Sequence, residues 1–536
     1  MTQGFKNTIK EKVSCTHLLL LALLIISLFY GYQKIIVMGP YSNHQWRQSD
    51  ALSITENYYQ ESMNFFEPRM HLQESVDGKA VGEFPLIYYI NAAIWHITGP
   101  SHFEARLLNL LLFFLGLFAL QKSIVMVTKS QFMSVFIPLL VFSSPIIVFY
   151  ANNFLVNVPA LGLIFISWYY ILKYKNSHRL KYLILFSVVA TIAILLRVTI
   201  IIGILPIFLL FLLEKIKLLP QKLFKGKFWA EAALLALPCI IIGLWILFIR
   251  HYNAQNQSYY FTTYLRPIWN LQADKIFEIW HKLSENLLPT IFHVSILFLI
   301  LASLVFILLN IKKVNRHMLL FTVTIFAALM LYMAAWYVNF TVHDYYLIEI
   351  ILLVPPLFVT LTYLIKKQYT QVYESKSVKV LLGVVLVFSM VYCSANQTMR
   401  YHSYHGYHSL LKNAMISKEK IDYWNWYHWD YSKKFKAYET ITPYIRELGI
   451  DRNDKVISMP DQSTNISLYL MNQKGYTVSD RENKTLNGQL ENFSSLGAKY
   501  LIINDTTIYS RIDFDKYCRN KIGSYKNIEI FRLTAE

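Results

Sequence analysis

Residues 183–213 read LILFSVVATIAILLRVTIIIGILPIFLLFLL, an apolar run that a single arginine, Arg197, interrupts near its middle. A helix needs about 20 apolar residues to cross about 30 Å of hydrocarbon, so this run predicts two spanning helices, at 182–197 and 198–213. Comparable runs recur along the chain. The sequence therefore predicts a polytopic α-helical membrane protein.

The composition excludes a single aqueous globule. Of the 536 residues, 55% are hydrophobic and only 16% are charged, whereas soluble domains have about 25% charged residues. The net charge of +18 would suggest a nucleic-acid partner in a soluble protein, but here the bases lie in short loops between apolar runs. We interpret them as topology signals and expect no nucleic acid. The four cysteines form no disulfide framework and no metal-binding motif.

Further apolar runs bring the expected number of spanning helices to about eleven. The run at 86–98 is too short to span and ends at Gly99-Pro100, so we expect a re-entrant or surface-lying helix there. The full set of predicted spans is 18–37, 105–127, 132–150, 155–172, 182–197, 198–213, 229–249, 291–310, 318–337, 345–365 and 379–396.

The charges between these runs predict the orientation. Alternate loops are rich in lysine and arginine and hold few acids, which is typical of cytoplasmic loops. The N-terminus is then cytoplasmic, and the acidic segment 38–84, the first outer loop, is translocated. We expect a multi-pass protein of the inner or plasma membrane with its C-terminal part outside the cytoplasm.

The tail differs from the rest of the chain. We divide the protein into a transmembrane domain (1–396), an aromatic interfacial linker (397–430) and a small extracytoplasmic α/β domain (431–536). Within the tail, alternating stretches predict strands, and longer polar–apolar stretches predict helices. The strands are expected at 455–459, 467–471, 499–503 and 528–533, and the helices at 438–448 and 490–496.

Ionisable groups beside the membrane are the candidates for chemistry. In the first outer loop, Ser49 is expected to cap a helix whose first turn holds Asp50. Asp50 is then either a dipole-stabilising charge or a general base at the mouth of a membrane cavity. Arg47 nearby is suited to bind an anion or to orient that acid. Glu83, just before Pro85, either marks a helix start or faces the same cavity.

Other candidates lie at the predicted outer ends of spans. Asn157 is either structural glue between helices or a substrate contact. Arg197 either snorkels to the interface or provides a cation for a lipid-linked phosphate. His343 and Asp344, followed by Tyr345, are suited to hold a phosphate or a hydroxyl group by charge-assisted hydrogen bonds.

Three histidines, His402, His405 and His408, alternate with tyrosines just after the last predicted span. Their spacing matches no structural zinc pattern, so an aromatic interface belt is favoured over a metal site. We assign no metal ligands.

Taken together, five motifs occur in an order that resembles the GT-C superfamily of polytopic glycosyltransferases. The resemblance is to its bacterial family 39 members, kin of the protein O-mannosyltransferases and the lipid A aminoarabinose transferases. The motifs are WRQSD (46–50), EFPLIYY (83–89), NVPAL (157–161), LRVT (196–199) and HDYYL (343–347).

The resemblance implies an inverting transfer of one sugar from a polyprenyl-phosphate donor to a glycan, lipid or protein acceptor on the outer face. It assigns the base to Asp50 and leaves Arg47, Arg197 or Arg266 to stabilise the leaving phosphate. Many relatives have an acid where this chain has Asn157, and many have lysine in place of Glu83. The missing second acid argues against a metal cofactor, so none is expected. A flippase of lipid-linked saccharides and an inactive scaffold of the same fold remain as alternatives.

Overall fold

The computed structural model describes residues 2–220, 222–260, 265–402, 415–479 and 485–533. Most of them are helical. The α-helices are Thr2–Phe29, Tyr32–Ile35, Gln45–Gln60, Leu86–Thr98, His102–Thr128, Gln131–Val141, Pro145–Ala151, Asn157–Ser177, Leu180–Leu196, Leu205–Lys215, Phe228–Gln255, Ala273–Lys282, Leu288–Ile291, Val294–Leu309, Arg316–Ala335, Val354–Gln368, Thr370–Glu374, Lys376–Tyr401, Lys418–Lys434, Thr442–Glu447, Ile466–Leu470, Leu486–Ser495 and Phe514–Tyr517.

Shorter 3-10 and π segments join these helices. The 3-10 segments are Val76–Gly78, Val198–Gly203, Ile268–Asn270, Ile311–Lys313, Tyr337–Thr341, Asp344–Leu353, Lys436–Thr440 and Thr506–Arg511. Leu283–Leu287 forms a π turn.

The apolar helices make this a polytopic membrane protein. Within the described residues, 6 helices are long and apolar enough to cross a membrane, or up to 8 if each of two bent pairs is one span. The apolar parts of the first helix (Cys15–Phe29) and of Leu180–Leu196 are shorter. The expected number of about eleven therefore stays a prediction. The helix Leu86–Thr98 has the bounds predicted for the short run, and its 13 residues extend only about 20 Å.

Two contacts between helices show why the bundle packs closely. A Cβ atom on Gly116 would clash with the backbone of Gly162, so these two glycines let their helices approach. Fully buried Arg106 donates to the carbonyl groups of Met38, Gly39 and Asn152. This guanidinium therefore fixes the start of the first outer loop against the bundle.

The C-terminal part forms a mixed sheet of five strands, β1 (Val456–Met459), β2 (Gly475–Thr477), β3 (Tyr500–Ile503), β4 (Lys521–Tyr525) and β5 (Ile528–Arg532). Their order in the sheet is β2-β1-β3-β5-β4. Strand β1 pairs in parallel with β2 and β3, whereas β5 is antiparallel to both β3 and β4.

Three of the expected strands, at 455–459, 499–503 and 528–533, match β1, β3 and β5. The expected strand at 467–471 is wrong, because Ile466–Leu470 is a helix. Asp461, which precedes this helix, accepts hydrogen bonds from the backbone amide and the hydroxyl of Ser467 in its first turn, and this favours a helical turn.

The first outer loop pairs with the edge of this sheet. The Gly475 amide donates to His71 O, and the Gln73 amide donates to Gly475 O. Arg452 adds hydrogen bonds to Glu61 (2.5 Å) and Asn57 (2.7 Å). The edge strand is therefore covered, and the sheet is held directly over the loop that carries Asp50.

Candidate active site

The helix Gln45–Gln60 begins earlier than the sequence indicates. Its N-cap is His44, not Ser49, because the side chain of Gln45 donates to Pro40 O and that of Gln48 to the carbonyls of Tyr41 and Asn43. These hydrogen bonds satisfy backbone carbonyl groups in the turn before the helix. The predicted cap at Ser49 is therefore wrong. Asp50 lies in the second turn, where it is fully buried rather than exposed.

Asp50 is a buried carboxylate with two partners. Its Oδ2 accepts a hydrogen bond from the Tyr260 hydroxyl at 2.7 Å and lies 3.5 Å from Nη1 of Arg47. Its Oδ1 has no partner among the described residues. Burial raises the pKa of Asp50 to about 6, although Arg47 and Tyr260 oppose the rise.

Arg47 connects two acids. Besides Asp50 it contacts Glu83, with 2.6 Å between Nη2 and Oε1. Oε2 of Glu83 accepts a hydrogen bond from the Tyr88 hydroxyl at 2.7 Å. Glu83 thus joins the start of the short helix Leu86–Thr98 to the helix that carries Asp50.

Arg197 lies where the helix Leu180–Leu196 gives way to the segment Val198–Gly203. Its Nε donates to Oε1 of Glu349 at 2.9 Å, and its guanidinium lies 4.6 Å from the ring centroid of Tyr346. Its Nη2 is buried and has no hydrogen-bond partner among the described residues. Arg197 is thus fixed on one side and has unused donor capacity on the other.

Arg47 and Arg197 face one cavity of ≈ 430 Å³. Its wall is mostly apolar and aromatic, with a smaller polar and charged part. The lining residues are Trp46, Arg47, Gly82, Glu83, Leu195, Leu196, Arg197, Val198, Thr199, Trp245, Tyr260, Trp336, His343, Tyr345 and Tyr346. Asp50 lies directly behind this wall, in contact with two of its members.

His343 and Tyr345 line the cavity, but Asp344 does not. Asp344 accepts hydrogen bonds from Asn43 (2.6 Å) and Tyr150 (2.5 Å) and lies 3.1 Å from the His44 ring. Asp344 therefore anchors the start of the first outer loop. Burial lowers the pKa of His343 to about 4, so its imidazole is neutral at pH 7.

The remaining candidates lie elsewhere. Asn157 is buried at the start of the helix Asn157–Ser177, and Arg266 is exposed; neither lines the cavity. His405 and His408 lie outside the described residues. Among the residues that the structure describes, no group of three or more His, Cys, Asp or Glu side chains is arranged to hold a metal ion.

The sequence did not indicate Tyr260 and Thr464 as site residues. The Tyr260 hydroxyl lies 2.7 Å from Oγ1 of Thr464, so the C-terminal part reaches the hydrogen-bond network of Asp50. The pairing of Arg197 with Glu349 was not predicted either. These contacts join residues 152 to 210 positions apart. In the local sequence, the residues that make these contacts are recognisable only as aromatic or polar side chains beside a predicted span.

Comparison with known proteins supports the motif-based expectation. The sequence profile of the family described as dolichyl-phosphate-mannose-protein mannosyltransferase matches residues 82–245. ArnT from Cupriavidus metallidurans, in a structure bound to undecaprenyl phosphate, superposes with a TM-score of 0.57 at 11% identity. The alignment covers 97% of this chain and 99% of that one. The chain has the fold of the GT-C glycosyltransferases.

The apo structure of the same ArnT gives a TM-score of 0.56 at 11% identity over 98% of this chain and 100% of that one. The arabinofuranosyltransferase AftD from Mycobacteria gives 0.53 at 10% identity, covering 97% of this chain but 40% of AftD. No curated protein sequence matches the chain. The resemblance to the GT-C superfamily predicted from the five motifs is confirmed at the level of the fold.

Proposed function

We propose that the protein is an inverting glycosyltransferase that moves one sugar from a polyprenyl-phosphate donor to an acceptor on the extracytoplasmic face. One observation carries this proposal: buried Asp50 lies behind a cavity lined by its ion-pair partner Arg47 and by Arg197. A base and two cations for a leaving phosphate are thus next to one cavity. The matching family's name and the undecaprenyl phosphate bound to ArnT support this donor class.

Arg197 is the principal phosphate contact in this proposal. Its Nη2 has no hydrogen-bond partner among the described residues, so a phosphate oxygen can accept from it without breaking the bond to Glu349. Charge-assisted bonds of this kind are about twice as strong as neutral ones. They favour the transition state because negative charge grows on the phosphate as the sugar leaves.

Asp50 receives the proton. The acceptor's oxygen or nitrogen attacks the anomeric carbon, the bond from that carbon to the phosphate oxygen breaks, and polyprenyl phosphate leaves with the bonding electrons. The acceptor's proton passes to the Asp50 carboxylate. Oδ1 of Asp50 has no partner among the described residues, so it can accept this proton while Oδ2 keeps the hydrogen bond from Tyr260.

We propose that no metal takes part. Arg47 and Arg197 provide the positive charge that a divalent ion would otherwise supply to the leaving phosphate. Glu83 and Asp50, the acids nearest the cavity, are both engaged by Arg47. Chelation with EDTA should therefore leave the transfer rate unchanged.

Deleting the gene in the source organism tests the activity whichever sugar is transferred. Mass spectrometry should show a surface glycan or lipid that lacks one sugar, with the lipid-linked donor accumulating on the outer face, and the wild-type gene should restore it. Donor that accumulates only on the cytoplasmic side would indicate a flippase instead. Unchanged surface glycans and lipids would contradict the proposal.

A further inference from the structure

A second site lies far from the candidate active site. A cavity of ≈ 160 Å³ lies between parts of five helices, is open on one side and has a mostly apolar lining. The helices are His102–Thr128, Asn157–Ser177, Leu205–Lys215, Arg316–Ala335 and Val354–Gln368. This cavity, the apolar chamber, has no role in the proposed transfer.

A more polar cavity of ≈ 190 Å³ adjoins the apolar chamber. Both are lined by Val127, Leu172, Lys175, Lys222, His317 and Met318, so they form one continuous space. Asn176 and Asn315 add amide groups at the polar end. The space is therefore apolar at one end and basic at the other, as a lipid tail and an anionic headgroup require.

This space opens at the end of the bundle away from the active site. His317 lines it near the start of the helix Arg316–Ala335, and Trp336, just after that helix, lines the active-site cavity. Nineteen residues of helix separate these positions by about 28 Å, close to the thickness of the hydrocarbon core. By the predicted orientation, the basic end lies at the cytoplasmic surface.

Hydrogen bonds and ion pairs hold the basic end of this space in place. Buried Glu214 accepts hydrogen bonds from the backbone amides of Leu223 and Phe224 and lies 3.0 Å from the His317 ring. These bonds fix the loop that presents Lys222. Buried Glu231 forms an ion pair with Lys215. Among the described residues, neither Lys175 nor Lys222 has an acidic partner within ion-pair distance, so two cations face the same cavity.

We propose that this space binds one anionic phospholipid of the cytoplasmic leaflet, with an acyl chain in the apolar chamber and its phosphate between Lys175 and Lys222. Basic pockets between helices on the cytoplasmic side suit anionic headgroups. A zwitterionic lipid would bring its own cation towards the two lysines, so the site should discriminate by headgroup charge.

Native mass spectrometry of the purified full chain tests this proposal with phosphatidylglycerol and phosphatidylcholine as probes. The wild type should retain one phosphatidylglycerol in preference to phosphatidylcholine. Lys175→Gln/Lys222→Gln should weaken phosphatidylglycerol binding about 30-fold, since each lysine beside an anionic headgroup contributes about fivefold. Val127→Trp, which fills the junction of the two cavities without changing charge, should weaken it as well.

Lys225→Gln/Lys227→Gln is the matched control, because both lysines are exposed in the same loop and neither lines the space. It should bind phosphatidylglycerol like the wild type. The proposal is overturned if the first double variant loses no more affinity than this control, or if phosphatidylcholine binds equally well. Full retention of the lipid by a monodisperse Val127→Trp protein would also overturn it.

Discussion

The Tyr260 hydroxyl donates a hydrogen bond to Oδ2 of Asp50 at 2.7 Å, across 210 residues of sequence. Because its one proton is used there, Tyr260 accepts from the hydroxyl of Thr464, 2.7 Å away. The proposed base is therefore covered by a residue that also contacts the C-terminal part. Tyr260 thus links the first outer loop and the C-terminal part beside this carboxylate.

The first prediction concerns pH. Burial raises the pKa of Asp50 to about 6, and a base acts only when it is deprotonated. We expect kcat/KM for transfer to rise with pH around a midpoint near 6 and then to level off. The same raised pKa means that the folded state holds this proton more tightly than the unfolded chain, so Asp50 lowers stability as pH rises from about 4 to about 6.

Tyr260→Phe sharpens this test. The Tyr260 hydrogen bond favours the charged carboxylate, so its removal should move the midpoint of the pH profile upward from about 6. Thr464→Val, which leaves the Tyr260–Asp50 bond in place, is the matched control and should shift the midpoint less. An unchanged midpoint in Tyr260→Phe would show that another group controls the profile.

Arg197→Ala should weaken binding of undecaprenyl phosphate by about 10- to 100-fold, the cost of losing a hydrogen bond from a charged group. Arg197→Lys should recover part of it, because lysine keeps the charge but not the fork of donors. Arg266→Ala is the control, since Arg266 is exposed and outside the cavity. If the wild type and the three variants bind undecaprenyl phosphate in nanodiscs with equal affinity, the role of Arg197 is only to pair with Glu349.

Local sequence patterns predicted some features of this protein and missed others. Long apolar runs and the Gly99-Pro100 stop indicated most helices of the bundle, because hydrophobicity over about 20 residues leaves few alternatives. The strands β2 and β4 and the helix Ile466–Leu470 were missed, since such short elements are decided by tertiary contacts. In the site, Asp50 and Arg197 were recognisable as charges beside apolar runs. Tyr260 was not, because only the folded chain brings it next to Asp50.

Docking of the sheet on the first outer loop gives a stability prediction. Arg452 is mostly buried and bonds to Glu61, Asn57 and Asn472. Arg452→Ala removes these bonds and leaves Asn57 Oδ1 without its partner, whereas Glu61 keeps its ion pair with Lys474. It should lower the free energy of unfolding by about 1–3 kcal/mol. Lys499→Ala removes a pair whose lysine is 65% exposed and should cost less than about 1 kcal/mol. Thermal melts in detergent that rank the two variants the other way would contradict this docking.

Cysteine labelling tests the orientation. Cysteine introduced at exposed Val76 should react with an impermeant reagent in intact cells or spheroplasts, whereas cysteine at exposed Ser177 should react only after lysis. The wild type, with its four cysteines, sets the background. Labelling of the Ser177 position alone in intact cells would reverse the orientation, and with it the proposed side of transfer.

The central claim is that Asp50 takes the acceptor's proton. The most direct measurement is the initial rate of sugar transfer in membranes of the deletion strain that carry wild type, Asp50→Asn or the control Glu67→Gln, an acid of the same loop that pairs with Arg69 and does not line the cavity. Because Asp50 is buried against Arg47, each rate is normalised to folded protein and to undecaprenyl phosphate binding. We predict a loss of about 10²–10⁴-fold for Asp50→Asn and little change for Glu67→Gln. A folded Asp50→Asn protein that keeps more than about a third of the wild-type rate would contradict the account. Its rate would then have fallen by less than about threefold, far less than the predicted loss.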